Sequence, residues 1–295
     1  MTETLGEHVA ARDAWARSAR GPLALVNAQA VDRPQPVWPV AGTWAPAVGG
    51  LAVTAAIGDG VVVDGDPVDG TVLVAGDTAV VPSTVVFRDG LAGMVHGTTL
   101  RVWDPASDAV ARFARIDRFA ARPGGWVTRG RYEPWSGREA PGHLTDAAGD
   151  PLPVAGAIET TIDGTTVRMT AVRSAPFHGR RRLQLIVQDT TSTLPEDDAG
   201  SSYSMGRFLY LDDPEQPDRS AQYDRSAQPD RSEQPDRPGG SGPFDVTLDW
   251  ERLVLPPCAF SYQYACPVPP EENRLPVALT AGERHPVDAS GAVLH

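Results

Sequence analysis

The sequence contains no lysine, so all 26 of its basic residues are arginine. A chain without lysine cannot form a Schiff base with pyridoxal phosphate or an aldol substrate, and it cannot place a lysine amine against a nucleotide γ-phosphate. The patterns Gly-x-Gly-x-x-Gly and Gly-x-Ser-x-Gly are also absent, so neither dinucleotide binding nor a nucleophile elbow has a sequence signal. We therefore expect a protein that uses no cofactor.

Cysteine and histidine are scarce. The two cysteines, Cys258 and Cys266, have a spacing that fits neither a zinc motif nor a Cys-x-x-Cys redox pair. The six histidines are scattered and include no His-x-x-x-His pair, so we expect no metal site. The favoured interpretation of the two cysteines is a pair of small, buried, structural side chains. A disulfide and a reactive or ligand-binding thiol are the alternatives.

Long apolar runs and an excess of positive charge are also missing. The formal net charge is −12 and the pI is about 4.9, so the chain repels a phosphate backbone and we expect no nucleic-acid partner. No run approaches the ~18 apolar residues of a membrane span. Residues 1–7 are acidic and lack the apolar core of a signal peptide. We expect a soluble, cytoplasmic protein without a membrane partner, and the sequence leaves its oligomeric state open.

A helix signal is followed by a β pattern. Thr4 and Glu7 form a capping box and Gly21-Pro22 stops a helix, which predicts a helix within residues 4–20. From Leu23 onward apolar residues alternate, and Asp-Gly dipeptides, which suit type I′ turns, separate the runs. The pattern predicts a mainly β fold: an antiparallel meander forming a sandwich or partly open barrel, with one short N-terminal helix.

The β pattern falls into two halves, and whether they form one domain or two stays open. The clearest hairpin turns at Asp163-Gly164 and opens the second half. Four units related to EQPDRS run from Glu215 to Pro238 with almost no apolar surface, which predicts a disordered loop. The predicted parts are the N-terminal helix 1–20, a first β half 21–132, a loop or linker 133–153, a second β half 154–288 that contains the low-complexity repeat loop 212–242, and a tail 289–295.

The segment from Pro256 to Glu283 reads PPCAFSYQYACPVPPEENRLPVALTAGE. Its prolines fix φ at about −65° and exclude a helix, so we expect a proline-rich, ordered loop that leads into a strand at Leu275–Leu279. The segment resembles the signature of the bacterial domain of unknown function 1684 family, through Pro-Pro-Cys-Ala-Phe, Cys-Pro-x-Pro-Pro, Glu-Asn-Arg-Leu and Ala-Gly-Glu. Further upstream, Tyr203 and the run Gly206 to Leu209 resemble the family's Thr-Tyr-x-x-Gly-Arg-Phe-Leu.

This resemblance implies a mostly β fold and carries no assigned activity. It is strong over roughly the last third of the chain and thin over the first half. Two positions depart from the family pattern: Glu251 stands where the family has Asn, and the Gly of the family's Asp-x-Thr-x-Gly is Thr193 here. A site that depended on that Asn or that Gly is altered in this chain.

Seven polar residues on or beside the predicted strands are the candidate ligand-binding residues. They are Asp189, Tyr203, Arg207, Asp249, Asn273, Arg274 and Glu283. In the functional interpretation, an arginine clamps a carboxylate or phosphate of the ligand and a carboxylate acts as general base. In the competing interpretation, arginine–carboxylate bridges attach the proline-rich segment to the sheet, and Arg274 makes the main contact.

These residue types favour the binding of a small polar or anionic ligand as the function. A cofactor-free hydrolase with carboxylate acid–base residues is one alternative, which two carboxylates facing each other at ~5–10 Å would favour. A structural or protein-interaction module is the other, which a flat, tryptophan-rich exposed patch of roughly several hundred Å² would favour. No residue can be named as catalytic, and the sequence does not decide whether the protein is an enzyme.

Overall fold

The structure, a computed structural model, describes residues 3–135, 144–147, 149, 151–174, 182–214 and 243–294. Among these residues the chain forms two α-helices, α1 (Leu5–Ala16) and α2 (Asp108–Arg112). The described strands are β1 (Leu25–Ala30), β2 (Gln35–Val37), β3 (Val40–Ala47), β4 (Gly50–Ala55), β5 (Val62–Val63), β6 (Asp66–Pro67), β7 (Gly70–Ala75), β8 (Val85–Val86), β9 (Ala92–His96), β10 (Thr99–Trp103), β11 (Phe113–Arg118), β12 (Val127–Pro134), β13 (Leu144–Thr145), β14 (Pro151–Leu152), β15 (Val154–Ile162), β16 (Thr165–Arg173), β17 (Arg182–Val187), β18 (Arg207–Asp212), β19 (Phe244–Asp249) and β20 (Glu283–Asp288). The prediction of a mainly β fold with an N-terminal helix is confirmed.

Helix α1 begins where the capping box predicts. The hydroxyl of Thr4 accepts a hydrogen bond from the backbone N–H of Glu7 at 3.2 Å, and Oε2 of Glu7 accepts one from the backbone N–H of Thr4 at 2.8 Å. These bonds satisfy N–H groups that have no partner inside the helix. The helix ends at Ala16, earlier than predicted, and spans 12 residues. In the part of the chain that the structure describes, no helix is long and apolar enough to cross a membrane.

Three larger antiparallel sheets carry the described fold. The first has the strand order β1-β10-β9-β8-β5-β6, the second β2-β3-β4-β7, and the third β18-β17-β16-β15-β12-β19. Two smaller sheets pair β11 with β20 and β13 with β14. In the third sheet, β18 and β19 are the two edge strands, and they nevertheless contact each other. The sheet is therefore strongly curved and forms a partly closed barrel.

The chain divides into two compact units, each assembled from several chain segments. Unit 1 consists of Met1–Asp117, Pro257–Ala265 and His285–His295, and unit 2 consists of Arg118–Pro256 and Cys266–Arg284. These boundaries differ from those of the two predicted halves. Strand β12, whose first six residues lie within the predicted first half and whose last two lie in the predicted linker, pairs with β15 and β19 and therefore belongs to the third sheet.

Each unit has its own apolar core. In unit 1, Trp44 and Leu51 are fully buried among the valines of the first two sheets. In unit 2, Tyr132, Met169 and Trp250 are fully buried inside the third sheet. Burying one large apolar side chain of this kind contributes about 1.5–3 kcal/mol, so these clusters are the main source of stability.

The hairpin predicted at Asp163-Gly164 is confirmed. Strands β15 and β16 pair from Ile162↔Thr165 outward. Asp163 and Gly164 have φ values of 46° and 84°, as a type I′ turn requires. Because both turn residues adopt the left-handed region, the strands leave the turn with the right-handed twist of the sheet.

The strand predicted at Leu275–Leu279 is wrong. The chain is extended there and runs beside Gln188 and Thr190, with Leu275 N donating to Gln188 O at 2.7 Å and Thr190 N donating to Val277 O at 3.1 Å. Pro276 lies between these two bonds and has no N–H to add to a ladder. The segment therefore forms isolated bonds, including a parallel bridge between Gln188 and Arg274, in place of a regular strand.

Two predicted irregular segments fall largely outside the described residues. Of the predicted linker 133–153, residues 136–143, 148 and 150 lie outside them, and the described remainder includes strands β13 and β14. Of the predicted repeat loop 212–242, residues 215–242 lie outside them. Asp213 still belongs to the folded body, because its buried carboxylate accepts a hydrogen bond from Nε of Arg173 at 3.1 Å.

Candidate functional site

Arg207 and Asp189 form a buried ion pair in unit 2. Nη2 of Arg207, the first residue of β18, donates to Oδ2 of Asp189 at 2.7 Å. The side-chain exposures are 1% for Arg207 and 2% for Asp189. Asp189 follows β17, and the register Val187↔Arg207 brings both residues to the same end of the β17–β18 pair. Removing two charges from water is costly, and only close pairing with additional hydrogen bonds offsets that cost.

The same guanidinium holds the proline-rich C-terminal segment. Nη2 also donates to the carbonyl oxygen of Leu279 at 2.8 Å, and Nη1 donates to those of Ala281 at 2.5 Å and Glu283 at 3.2 Å. The planar fork of arginine can span alternate carbonyls of an extended chain, which the point charge of a lysine cannot do. Arg207 therefore makes the attachment that the sequence led us to expect of Arg274.

The Asp189 carboxylate is fully occupied. Its Oδ1 accepts hydrogen bonds from the backbone N–H of Thr191 at 2.9 Å, the hydroxyl of Thr191 at 2.7 Å and the backbone N–H of Leu279 at 3.1 Å. Because the Thr191 hydroxyl gives its proton to Asp189, the Ser202 hydroxyl at 2.7 Å must donate to Thr191. A carboxylate held in this way is a fixed acceptor, and its geometry does not suit a general base.

One donor of Arg207 remains unused. A guanidinium has five N–H groups, the Nη atoms direct theirs at the acceptors already described, and the buried Nε has no hydrogen-bond partner among the described residues. The ring centroid of Phe119 lies 5.5 Å from Cζ of Arg207 and 5.1 Å from Cζ of Arg284, within the range of cation–π interactions. Phe119 and Arg284 are both half-buried. We call Arg207, Phe119 and Arg284 together the Arg207 site.

Glu283 is a second buried carboxylate of unit 2. Its side chain is fully buried, its Oε2 accepts a hydrogen bond from the backbone N–H of Leu255 at 2.6 Å, and Nη1 of Arg118 lies 3.5 Å from its Oε1. Arg118 also donates from Nη2 to the carbonyl oxygen of Glu251 at 2.5 Å. Glu251, where the chain departs from the family pattern, is buried, and its Oε1 accepts from the backbone N–H of Arg122 at 3.1 Å. Both carboxylates therefore link separate chain segments.

Asn273 fills a split between two strands. The β16–β17 ladder runs from Arg173↔Leu183 to Ala171↔Leu185 and stops there. Beyond that point the Asn273 side chain takes over: Nδ2 donates to Thr170 O at 2.9 Å and Ile186 O at 3.0 Å, and Oδ1 accepts from Thr170 N at 2.7 Å. The amide thus supplies hydrogen-bond partners for backbone groups of β16 and β17 that the diverging strands no longer pair with each other.

The remaining candidates lie outside this network of buried side chains. Asp249 caps the short helical turn that follows β19, accepting from Glu251 N and from Nε of Arg252, both at 3.2 Å. Arg274 is exposed, and its side chain makes no hydrogen bond or ion pair with the described residues. Tyr203 meets the Arg207 site through its backbone, whose N–H donates to Arg284 O at 3.1 Å.

The two cysteines are half-buried thiols, and neither forms a disulfide. Cys266 packs against the apolar cluster of Val172, Ile186 and Phe208. Within the described part of the chain, no three His, Cys, Asp or Glu side chains group in a way that could hold a metal ion.

Sequence reasoning missed Arg118, Phe119 and Arg284. Arg284 had one available signal, because it directly follows the Ala-Gly-Glu motif. Arg118 and Phe119 had none: they reach the site because the backbone N–H of Phe119 pairs with Gly282 O at 3.1 Å. A contact between positions so far apart in the chain leaves no trace in spacing or periodicity.

In unit 2, the chain is thus an antiparallel β protein whose C-terminal segment is held by Arg207, the cationic partner of the buried Asp189. A family model described as a protein of unknown function (DUF1684) matches residues 111–284. The match spans more than half of the chain, and the chain belongs to this family.

Comparison with solved structures finds the chain similar to an uncharacterized protein from gene locus rrnAC0354 of Haloarcula marismortui, a solution NMR structure. The sequence identity is 24% and the TM-score is 0.38, and the similarity covers 58% of this chain and 77% of that one. Comparison with curated proteins finds no match. None of these comparisons assigns a ligand or a reaction.

Proposed function

We propose that the protein binds a small polar ligand, neutral or anionic, at the Arg207 site. The observation that carries the proposal is the Nε of Arg207, a buried donor on a charged group without an acceptor among the described residues. Leaving such a donor unsatisfied costs about 1–3 kcal/mol, and more on a charged group. A ligand oxygen that accepts from this N–H recovers the cost.

The neighbouring residues indicate the chemistry of the ligand. Asp189 balances the charge of Arg207, and Arg284 adds a second guanidinium next to Phe119. Nε of Arg284 donates to Ser201 O at 2.8 Å and its Nη2 donates to Asp198 O at 3.2 Å, and these bonds hold the guanidinium in place. Phe119 offers an apolar ring within cation–π distance of both guanidiniums. The ligand that fits carries an oxygen acceptor next to an apolar group.

The hydrolase alternative gains no support from the two buried carboxylates. Donors on three residues hold Asp189, and Glu283 accepts from the backbone of Leu255 and faces Arg118. A general base needs an open position at which it can take a proton from substrate or water. The geometry therefore favours binding over hydrolysis at these residues.

Thermal denaturation with four probes tests the proposal. Sodium phosphate and sodium acetate represent anions, glucose and acetamide represent neutral acceptors, and sodium chloride at equal ionic strength is the control. A ligand that binds only the folded protein stabilises it by about 2.7 kcal/mol at a concentration of 100 Kd. We expect at least one probe class to raise Tm in a dose-dependent manner.

Two variants locate the effect at the site. Phe119→Leu and Arg284→Gln should keep the fold, because both side chains are half-buried, and should abolish the rise in Tm caused by the effective probe. Arg252→Gln is the matched control, since Arg252 is also partly buried but its guanidinium pairs with Asp249, which is not part of the Arg207 site. A rise that survives both site variants, or no rise with any probe, contradicts the proposal.

A further inference from the structure

The second sheet, made of β2, β3, β4 and β7 in unit 1, contains no charged residue. Charged residues make up 22% of the whole chain, so several would be expected in a sheet of this size. Solvent-facing positions of antiparallel strands normally carry most of them. Because this sheet has no charged residue, we infer that its solvent-facing side has a role other than contact with water.

The outward side of this sheet has a regular residue pattern. Trp44, Val53 and Val74 point into the core, and the alternate residues point out. The outward residues form two rows across three strands, a threonine row and an apolar row. The rows are Thr43↔Thr54↔Thr71 and Ala45↔Ala52↔Leu73. We call these six residues the uncharged face.

The uncharged face is accessible and reaches the last strand of its sheet. The three threonines are exposed, and Leu73 is 51% exposed. Leu73 lies on β7, the last strand in the order of this sheet. Edge strands of soluble proteins usually carry charged residues that prevent pairing with other chains, and β7 has none. In the turn between β3 and β4, Val48 is 98% exposed.

We propose that this face docks against the same face of a second copy of the chain, in a symmetric dimer. Each copy carries a net charge of −12, so two copies repel each other wherever acidic surfaces meet. The uncharged face offers contact without opposed carboxylates. A twofold axis parallel to the plane of the sheet lays the same face of both copies together, as an isologous interface requires. Small Ala and Thr side chains allow the two sheets to approach to about 10 Å.

The size of the face predicts a weak dimer. The three strands that carry the face are spaced about 4.8 Å apart and are about 20 Å long, so the face covers about 300 Å² per copy. Stable interfaces bury about 800 Å² per partner. The association should therefore depend on protein concentration, and it should strengthen with salt, which screens the repulsion between the two acidic copies.

Sedimentation velocity of the full chain tests the proposal. Over about two decades of protein concentration, the wild type should shift from monomer to dimer, and the shift should come at lower concentration in higher salt. Leu73→Glu and Thr54→Glu each place a carboxylate on both sides of the interface. Each should raise the dissociation constant at least about tenfold, because like charges then lie close together across the twofold axis.

Val86→Glu is the matched control for added charge. Val86 is 45% exposed on β8 of the first sheet, outside the uncharged face, so this variant should dimerise like the wild type at high salt. Circular dichroism checks that every variant is folded. A wild type that stays monomeric overturns the proposal. A dimer that survives both Leu73→Glu and Thr54→Glu also overturns it. So does a dimer that Val86→Glu weakens as much as these two variants at high salt.

Discussion

Nη2 of Arg207 lies 2.7 Å from Oδ2 of Asp189, and the same side chain binds the carbonyl oxygens of Leu279, Ala281 and Glu283. One residue at the start of β18 thus neutralises a buried acid and fixes the path of the chain that leads into β20. This double role makes Arg207 both a stability determinant and the centre of the proposed ligand site.

Arg207→Met should destabilise the protein by about 3–5 kcal/mol, because it leaves the Asp189 carboxylate buried without its cationic partner. Arg274→Met is the control, since that side chain is exposed and should cost under about 1 kcal/mol. Urea denaturation midpoints measure both. Equal losses in the two variants would contradict the assignment of the attachment to Arg207.

Asn273→Leu should destabilise the protein by about 2–5 kcal/mol. The change removes two donors and one acceptor, so Thr170 N, Thr170 O and Ile186 O lose their partner, and each buried unsatisfied group costs about 1–3 kcal/mol before relaxation. Hydrogen exchange gives the more specific measurement. The Thr170 amide should lose more protection than the Val172 amide, which points to the same edge of β16 and lies in the retained β16–β17 ladder, where Val172 pairs with Gln184. Uniform loss along β16 would mean that Asn273 acts only through global stability.

Gly282→Ala should be far more damaging than Gly291→Ala. Both glycines have positive φ, 72° and 88°, so both variants carry the left-handed strain of about 1–2 kcal/mol. A Cβ at position 282 would also lie 2.5 Å from Leu253 O, whereas nothing lies within 4 Å of a Cβ at position 291. Leu253 O accepts from Glu283 N at 2.9 Å and cannot move freely. Thermal denaturation should separate the two variants, and similar melting temperatures would refute the close approach.

Asp64 should contribute to the acid sensitivity of unit 1. Hydrogen bonds from the backbone N–H of Thr84, which has the larger effect, and from the Ser83 hydroxyl hold the pKa of Asp64 below its ordinary value. A carboxyl whose folded pKa is below the unfolded value of about 3.9 stabilises the fold above that pH, and the contribution is lost as the pH falls through the folded pKa.

Asp64→Asn should therefore flatten the stability curve below about pH 4 while keeping the turn, because Asn also tolerates the φ of 53° at this position. Asp66→Asn is the control, since Asp66 is exposed and its side chain makes no hydrogen bond with the described residues. Urea denaturation across a pH series measures the difference. An Asp64→Asn curve parallel to the wild-type curve in this range would show that the interaction with Thr84 and Ser83 is not linked to folding.

Local signals in the sequence were sufficient for much of the fold. The capping box at Thr4 and the Asp163-Gly164 turn act within a few residues, so their structures follow from nearby side chains alone. The placement of β12 did not follow, because pairing with β15 and β19 depends on contacts between distant parts of the chain. The β content was predictable, whereas the division into two units was not.

The candidate site was predictable in part for the same reason. Asp189, Arg207 and Glu283 stood out as polar residues beside strands, and the structure links them through the guanidinium of Arg207. The sequence could not show which arginine would be buried: Arg274 is flanked by the prolines that drew attention to it, but its position in the extended segment leaves it exposed to solvent. Burial depends on the path of the chain, which spacing does not encode.

Each unit is built from chain segments that alternate along the sequence, and this arrangement constrains folding during synthesis. Unit 2 needs residues 266–284, and unit 1 needs residues 257–265 and the stretch after 284. During synthesis from the N-terminus, the strands of both units leave the ribosome before the segments that complete them. Neither unit corresponds to a contiguous fragment of the gene, so a cut at any single point in the chain cannot yield two complete units.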